Sequence, residues 1–324
     1  MTNGTQFKPQ ARIGVVLVNW NSDEVTIPCV QSLMRGKRVP DCIMIVDNAS
    51  QAGSVERIIE SCPTAHIIRN NINYGFTGGN NVGLGYLLEN NYDYAWILNN
   101  DTEVAPDCLS LLESSLFENP DVAAVTGKIY YYGKDRLLWF AGVTFNPLTF
   151  KIGHRGLGEI DNGQYDIAEK IDFFDGCSLL VHCSVLKKVG LFDNHFFAYN
   201  EDLDLAFRIR KKGFSIFYNP LAVLYHKTGC SISKNSNKAV TGGSSTPLQQ
   251  FLANRNRIYI VRRYASPPNK IVAISLIILN ALYITLVMIF LNRWQKAIAV
   301  WSGVFHGIFD DIQDVIQEPH GIPY

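Results

Sequence analysis

Four short apolar runs, separated by helix-like stretches, dominate the first hundred residues. The first is "IGVVLV" from Ile13 to Val18, and the second is "CIMIVD", which ends at Asp47. The third, "AHIIRN", covers residues 65–70, and the fourth, "YAWIL", covers residues 94–98. Runs of this length, rich in β-branched residues, are typical of buried parallel strands. Their alternation with helices predicts an α/β fold with a mostly parallel sheet covered on both faces.

The remainder of the chain predicts further elements in a less regular order. We expect a glycine-rich loop, "NYGFTGGNNVG", before a helix that begins near Asn80. The other predicted helices cover residues 54–61, 107–117, 184–189 and 202–212, and the other predicted strands cover 122–132 and 215–224. The polar segment 231–247 predicts a long mobile loop.

Polar side chains follow the predicted strands. In parallel α/β sheets, ligands bind beyond the carboxyl ends of the strands, so these residues, together with one glycine of the glycine-rich loop, are candidates for contact with a nucleotide. They are Asn19, Asn21, Asp47, Asn48, Gly75, Asn80, Asn99, Asn100 and Asp101. The dinucleotide fingerprint GxGxxG is absent from "GFTGGNNVG", which follows the third strand rather than the first. A nicotinamide cofactor is therefore the weaker interpretation.

The stretch "ILNNDTEV" ends the fourth strand in a cluster of oxygen ligands. Asn and Asp favour turns, and a turn is one interpretation of Asn99 to Asp101. The other is a site for a hard cation that carries a phosphate, because Mg²⁺ is usually held by one or two carboxylates plus substrate oxygens. Asp101 and Glu103 would supply those carboxylates.

A second acidic cluster lies in "YNEDLDLAFR". Glu201, Asp202 and Asp204 begin a predicted helix, where carboxylates are stabilised by the helix dipole. Asp202 could equally face a cleft as a general base. His226 closes a predicted strand in "LYHKTGCS", either as a packed side chain or as a neutral metal ligand that completes a site with Asp101.

Charge and cysteine content exclude some classes of function. The chain has 29 basic and 29 acidic residues among 324, so no overall field attracts nucleic acid and none is expected as a partner. Seven cysteines without a CxxC pair suit buried, reduced thiols better than disulfides or a zinc site. The first twelve residues lack a secretory apolar core, so we expect the protein to face the cytoplasm.

The C-terminal part contains 21 uncharged residues from Ile271 to Leu291. About 20 apolar residues can cross a bilayer as a helix, although a buried helix of a soluble domain has the same composition. Basic residues precede this run, and Arg293 and Lys296 follow it directly. Because cations flank both ends, we expect monotopic attachment to the cytoplasmic face of the membrane rather than a single span.

The ordered set of these motifs carries a family resemblance. "VVLVNWNS", "IVDNAS", "NYGFTGGNNVG", "LNNDTEV", "DGCSLLVHCSVLKKVGLFDNHFFAYNEDLDLAFRIRKKG" and "YHKTGCS" occur in the order and at the separations of the inverting glycosyltransferases of family two. The set most resembles the rhamnosyltransferase-like branch that builds surface polysaccharides. The resemblance covers roughly residues 12 to 264.

The resemblance implies a GT-A fold, a nucleotide-diphosphate sugar donor, and Mg²⁺ or Mn²⁺. In it, Asp47 resembles the residue that contacts the nucleotide, Asp101 the metal-binding aspartate, and His226 a metal-ligand histidine. Asp202 resembles the catalytic base, with Glu201 beside it. Asn99 and Asn100 depart from the pattern, since some relatives have acids there. Candidate acceptor-side residues are Trp139, Gly176, Asp204 and Arg208.

The resemblance also implies a function and a domain order. We expect a tail at 1–11, a catalytic domain at 12–264 and a membrane-associating segment at 265–324. The catalytic domain would have a nucleotide-binding half at 12–104 and an acceptor half at 105–264. The expected reaction transfers a sugar from a nucleotide-diphosphate donor to a glycan or lipid-linked acceptor. The donor that we expect is dTDP-rhamnose, which would supply L-rhamnose. A sugar nucleotidyltransferase, an inactive membrane-bound scaffold and a homo-oligomer remain open.

Overall fold

A computed structural model describes residues 11–119, 121–227 and 245–311. Twelve strands and nine helices lie in these ranges. The strands are β1 Ile13–Asn19, β2 Cys42–Asp47, β3 His66–Arg69, β4 Tyr94–Leu98, β5 Thr102–Val104, β6 Val122–Tyr131, β7 Leu138–Phe140, β8 Val143–Asn146, β9 Lys151–His154, β10 Glu169–Ile171, β11 Ser178–His182 and β12 Ser215–His226. The helices are α1 Asp23–Met34, α2 Ser54–Ser61, α3 Gly75–Glu89, α4 Cys108–Glu118, α5 Cys183–Val189, α6 Glu201–Lys211, α7 Pro247–Tyr264, α8 Pro267–Phe290 and α9 Trp294–Phe309.

Ten of these strands form one mixed sheet in the order β10-β12-β6-β11-β4-β1-β2-β3, with β5 paired to β12 and β7 paired to β6. Strands β1 to β4 are parallel to one another where they pair, as the β-α repetition predicts. Strand β11 inserts antiparallel between β4 and β6. The carboxyl ends of β1, β2 and β4 therefore share one edge of the sheet.

The sheet has a core on each face. Along β1, Val15 and Leu17 face the layer formed by α1, α2 and α4, whereas Val16 faces the layer that contains α3, α5 and α6. All three valine and leucine side chains are fully buried. Burial on both faces explains why these strands are continuous apolar runs rather than alternating ones.

The prediction of a glycine-rich loop before Asn80 is wrong in part, because helix α3 begins at Gly75 and includes most of that segment. A Cβ on Gly79 would meet Val18 Cγ1 at 2.8 Å, and one on Gly83 would meet Val16 Cγ1 at 2.5 Å. The glycines thus allow the helix to approach β1 closely. This packing outweighs the low helix propensity of glycine.

Residues of the C-terminal helices share one core with one face of the sheet, and the domain boundary expected at residue 264 stays a prediction. Helix α9 packs along α7, where a Cβ on Gly303 would meet the carbonyl oxygen of Phe251 at 2.4 Å. Helix α8 is the one helix among the described residues that is long and apolar enough to cross a membrane. Its contacts with the protein come from one stripe: Ala273, Ile277, Ala281 and Met288.

Two expectations fall partly on undescribed residues. The tail at 1–11 lies there except for Ala11, and the expected mobile loop at 231–247 lies there up to residue 244. Thr246 is described and caps α7, its side-chain oxygen accepting a hydrogen bond from Gln249 N at 3.2 Å. The six described cysteines are unpaired and buried, as predicted for reduced thiols.

Candidate active site

The ends of β1 and β2 form one hydrogen-bonded unit. These strands pair in register so that Asn19 lies opposite Asp47. The Asn19 amide donates to Asp47 Oδ1 at 2.8 Å, and Asp47 Oδ1 also accepts from the Ser50 hydroxyl at 2.5 Å. The left-handed backbone of Asn21 (φ 51°) lets its side-chain oxygen accept from Gln51 N at 2.7 Å. The loops after both strands are therefore fixed to each other.

Several amides expected to contact the donor instead hold this edge together. Asn19 accepts from the Thr26 hydroxyl at 2.9 Å, and the Asn100 amide donates to the same hydroxyl at 2.7 Å. The Asn48 amide donates to the carbonyl of Gly75 at 2.7 Å and so fixes the start of α3. Asn80 bonds the Phe76 carbonyl of its own helix. All four are buried, and direct contact of these side chains with a donor stays a prediction.

Two distant segments bring Asp101 and His226 together. Strand β5 pairs with the end of β12 so that Thr102 lies opposite His226. Asp101 follows Asn99 and Asn100 at the end of β4, and its Oδ1 lies 3.1 Å from His226 Nε2. Both side chains are buried. Burial opposes protonation of His226, yet the Asp101 carboxylate raises the pKa of that imidazole above its usual value.

Glu103 has a different partner from this pair, and its expected role as a third metal ligand stays a prediction. Its carboxylate forms an ion pair with Lys227 Nζ at 2.7 Å. Within the described ranges, no group of three or more His, Cys, Asp or Glu side chains is arranged to hold a metal ion. Asp101 and His226 are therefore the two side chains of the expected set that lie together.

The pair of Asp101 and His226 still fits a divalent metal. The Nδ1 atom of His226 is buried without a hydrogen-bond partner in the described structure, so its imidazole is not committed to the fold at both nitrogens. A carboxylate and an imidazole suit Mn²⁺, and ions of this kind commonly take their remaining ligands from substrate phosphates and water. The two side chains could hold such an ion once a diphosphate is bound.

Glu201 and Asp202 begin α6 on the other side of the cleft. Asn200 precedes them with a left-handed backbone (φ 66°). Asp202 accepts hydrogen bonds through both oxygens, from Gly176 N at 3.0 Å and from Leu203 N at 2.8 Å. Any Cβ at Gly176 would lie 3.7 Å from Asp202 Oδ2. Gly176 therefore contributes its backbone N–H to the site rather than a side chain.

The two acids of α6 have different protonation chemistry. Burial, together with the nearby Asp175 carboxylate, raises the pKa of Asp202 to about 6. Burial and the charge of Asp202 raise the pKa of Glu201 well above its usual value. With a pKa of about 6, Asp202 can accept a proton at neutral pH, whereas burial beside the Asp202 charge disfavours the ionised form of Glu201. A carboxylate with this pKa suits a general base.

Asp175 and His154 belong to the same cluster and were missed by the sequence analysis. His154 Nε2 lies 3.1 Å from Asp175 Oδ2, and Asp175 Oδ1 accepts from Cys177 N at 2.8 Å. The charges of these two groups act on Asp202, and that of Asp175 also acts on His226. An acid directly before Gly176 was the available signal for Asp175. His154 lies on β9 in no recognisable motif.

Trp139 lies between the two histidines of the cluster. Its ring centroid is 5.5 Å from that of His154 and 5.1 Å from that of His226, edge-on to both. The indole N–H is buried without a partner among the described residues. Trp139 therefore links the Asp101 side of the cleft to the Asp202 side.

Asp204 and Arg208 form a polar cluster between α6 and α7, and their expected acceptor role stays a prediction. Asp204 is 0% exposed and accepts from Arg208 Nε at 2.8 Å, Arg263 Nη1 at 2.6 Å and the Tyr264 hydroxyl at 2.6 Å. Arg208 also donates to the carbonyls of Val189 and Leu191. Because Asp204 is two residues from Asp202, this cluster fixes the catalytic helix to α7.

Comparison with known protein families identifies the family of this chain. A family model described as glycosyl transferase family 2 matches residues 14–190, more than half of the chain. The chain belongs to glycosyl transferase family 2. The match covers the strand ends at Asp47 and Asp101 as well as Asp175, and it ends before α6.

Curated relatives of this family 2 chain include two Mycobacterium tuberculosis proteins named N-acetylglucosaminyl-diphospho-decaprenol L-rhamnosyltransferase. Each is 36% identical over 87 residues, which is 26% of this chain and 28% of the relative. The similarity thus spans less than a third of those proteins.

Solved structures agree on the GT-A fold. GalNAc-T7 with UDP, GalNAc and Mn²⁺ has a TM-score of 0.59 at 13% identity and covers 79% of this chain and 48% of its own. A mannosyltransferase from Pyrobaculum calidifontis, in complex with GDP-Man and Mn²⁺, has a TM-score of 0.53 at 15% identity. It covers 93% of this chain and 88% of its own. At these identities the likeness concerns the fold alone.

Proposed function

We propose that the protein is a glycosyltransferase that moves a sugar from a nucleotide-diphosphate donor to an acceptor hydroxyl by single displacement with inversion. One observation carries the proposal: the ionised Asp202 carboxylate shares one charged cluster with the Asp101–His226 pair at the edge of the parallel sheet. A base and a candidate diphosphate site on one cleft are what this reaction requires.

Asp202 takes the proton from the acceptor hydroxyl as that oxygen attacks the anomeric carbon. Its bonds to Gly176 N–H and Leu203 N–H fix the carboxylate in direction. The bond between the anomeric carbon and the diphosphate breaks on the opposite face, and the leaving group is the nucleoside diphosphate. One displacement of this kind inverts the configuration.

The donor would lie along the ends of β1, β2 and β4. Asp47 is the candidate contact for the nucleoside, with Gly75 and Asn99 along the same edge. Asp101 and His226 would hold Mg²⁺ or Mn²⁺, which when bound supplies positive charge that stabilises the diphosphate leaving group. The relatives with bound nucleotide sugar and Mn²⁺ support this arrangement by analogy of fold.

For the donor sugar we propose L-rhamnose from dTDP-rhamnose, and for the acceptor a lipid-linked glycan of surface polysaccharide biosynthesis. The partial similarity to rhamnosyltransferases whose name includes a diphospho-decaprenol acceptor supports both choices. Trp139, with its buried indole N–H beside His154, is the candidate platform for the acceptor sugar, since aromatic rings pack well against sugar faces.

We place the protein on the cytoplasmic face of the membrane, attached by α8. Leu279, Tyr283 and Leu286 are 60–68% exposed on one face of this helix. The opposite stripe packs against the protein, so α8 runs beside the catalytic body and is not free to cross a bilayer alone. This geometry favours monotopic attachment over a single span. The competing role for the same face is a homo-oligomer interface.

The test of the proposed reaction is a donor panel in detergent. Purified protein is mixed with single nucleotide sugars and Mn²⁺ or Mg²⁺, with and without a synthetic lipid-linked acceptor, and product is followed by mass spectrometry. We expect acceptor-dependent release of nucleoside diphosphate with one donor. Formation of pyrophosphate and a sugar nucleotide would identify a nucleotidyltransferase, and binding of donor without turnover under all conditions would identify an inactive scaffold.

A further inference from the structure

A cavity lies beside α6, outside the cluster that contains Asp101, His226, Asp175 and Asp202. It has a volume of about 460 Å³ and is formed by the turn between β8 and β9, the start of α6, α7 and α8. The lining residues that matter here are Lys151, Asn200, Arg257, Leu276 and Asn280. Asn200 directly precedes Glu201 and Asp202, and Leu203 also lines the cavity, so the cavity borders the first turn of α6.

Arg257 differs from the other arginines of α7. Arg255 donates to the carbonyl of His195 at 2.7 Å, Arg262 to that of Gly307 at 2.8 Å, and Arg263 forms ion pairs with Asp193 and Asp204. Arg257 is half-buried and has neither an ion pair nor a hydrogen bond with any described residue.

A guanidinium without a counter-ion is costly to bury. Arginine remains protonated in proteins, and taking its charge partly out of water without a partner destabilises the fold. Burial lowers the pKa of Arg257, and no acid acts against that effect. A bound anion would supply the missing partner, and Lys151 is a second cation at the same cavity.

The wall opposite Arg257 belongs to α8. Leu276 and Asn280 line the cavity from that helix, and Asn280 is a polar residue within the uncharged run Ile271–Leu291. The cavity is thus lined both by the start of α6, the helix that carries Asp202, and by α8, the helix that carries the exposed apolar face. An amphiphile with an anionic head matches this set of surfaces.

We propose that this cavity binds the diphosphate of a prenyl-diphosphate-linked acceptor, with the lipid chain along α8 and the sugar toward Asp202. Arg257 donates two parallel hydrogen bonds to phosphate oxygens, a geometry that suits a guanidinium. Lys151 adds charge at the rim, and the Asn280 amide donates to the same group. The inference rests on the proposed function, because it assigns the chemical class of the acceptor at that site.

The binding test uses farnesyl diphosphate as the probe, with farnesol and inorganic pyrophosphate as its two halves. Binding to the full-length protein in detergent is measured by calorimetry with EDTA present, so that no divalent metal contributes. We expect farnesyl diphosphate to bind more tightly than either half. Arg257→Gln should weaken that binding by roughly 10- to 100-fold, since it removes hydrogen bonds from a charged donor.

Control variants separate this cavity from the donor site. Arg35→Gln, at an exposed arginine at the end of α1, should leave the probe's affinity unchanged, as should Asp101→Asn. Leu276→Ser should weaken binding of farnesyl diphosphate and leave that of pyrophosphate unchanged. Loss of probe binding in Asp101→Asn, or equal affinities of wild type and Arg257→Gln, would overturn the proposal.

Vesicles distinguish the acceptor from an ordinary phospholipid. Wild type and Arg257→Gln are sedimented with vesicles of phosphatidylglycerol and phosphatidylcholine. Equal sedimentation supports a site for the acceptor, whereas a loss for Arg257→Gln would assign the cavity to bilayer phosphates and overturn the proposal. Calorimetry with nucleoside diphosphate and Mn²⁺ tests the donor site independently, so failure of this inference and failure of the proposed function give different results.

Discussion

Asp202 accepts hydrogen bonds from two backbone N–H groups. These bonds fix the direction of its carboxylate without neutralising its charge as a cation would. The neighbouring Asp175 carboxylate works against its ionisation, whereas His154 works in favour of it. The base is therefore tuned by a pair of residues that do not themselves need to move a proton. Three predictions at the residue scale follow from this arrangement and from the Asp101–His226 pair.

Asp202→Asn should abolish transfer while donor binding survives. The amide retains the shape of the side chain but cannot accept a proton, and general-base contributions are typically about 100- to 10,000-fold. Product formation and calorimetry with nucleoside diphosphate give the two readouts. Glu201→Gln is the matched control and should retain most activity, because burial beside Asp202 disfavours the ionised form that a base requires. Activity that depended on Glu201 and not on Asp202 would reverse the assignment.

Activity should fall as the pH drops through about 6, the pKa of Asp202. The base works only when ionised, so its raised pKa moves the loss of kcat/KM to a higher pH than an ordinary aspartate would give. Asp175→Asn removes the charge that opposes ionisation and should shift this limb to lower pH. The measurement is a pH–rate profile for both proteins. A shift in the opposite direction would contradict the role given to Asp175.

Asp101→Ala and His226→Ala should each weaken metal-dependent binding of nucleoside diphosphate by at least about 10-fold. If both side chains hold one ion, the losses in the double variant are not additive. Calorimetry with and without Mn²⁺ on the four proteins forms the cycle. Glu103→Gln is the control, since Glu103 pairs with Lys227 instead. Additive losses would indicate separate roles for Asp101 and His226.

At the scale of helices and strands, the position of α6 depends on a buried polar contact with α7. Asp204 joins α6 to α7 through Arg263 and Tyr264, and it is fully buried. Removal of one partner from a buried ion cluster leaves charges without compensation. The position of the catalytic helix therefore depends on a residue that does not face the substrate.

Asp204→Asn should lower the free energy of unfolding by about 3–5 kcal/mol. Asp172→Asn offers a matched control, because Asp172 forms an exposed pair with Arg210 of the same helix, at 2.8 Å, and exposed pairs contribute about 0–1 kcal/mol. Urea denaturation followed by circular dichroism measures both. Similar losses for the two variants would show that Asp204 does not stabilise the α6–α7 contact.

The same elements explain what the sequence could predict. Strands β1, β2 and β4 are local apolar runs, and the residues that end them, Asp47 and Asp101, could be placed on one edge by the parallel topology alone. Asp175 precedes β11, which pairs with β4 from much earlier in the chain. His154 lies on the local β8–β9 hairpin, and only a tertiary contact brings it to Asp175. No local pattern reports such contacts. The buried ion cluster of Asp204 could not be predicted, because a buried acid and a cleft acid look alike in a helix sequence.

For the whole molecule, the proposed membrane attachment depends on the exposed apolar face of α8. Leu279→Gln together with Leu286→Gln should release the protein from vesicles without unfolding it, because both side chains are more than half exposed. Ile277→Gln should instead destabilise the fold, since Ile277 is buried. Vesicle sedimentation and thermal melts measure the two effects. Retained vesicle binding with loss of a dimer in the double variant would assign this face to an oligomer interface.

The close packing of α9 on α7 at Gly303 also sets a geometric limit on catalysis. Helix α8 connects these two helices along the chain, and Asp204 bonds α7 to the helix that carries Asp202, so a series of contacts links the proposed membrane-facing surface to Asp202. If α8 lies on the bilayer as proposed, Asp202 would stay at a constant height above the lipid surface. The enzyme would then select acceptors by length. It would glycosylate a sugar close to the lipid, and the end of a longer glycan would lie too far from the membrane to reach Asp202. Extension beyond that point would require a different enzyme.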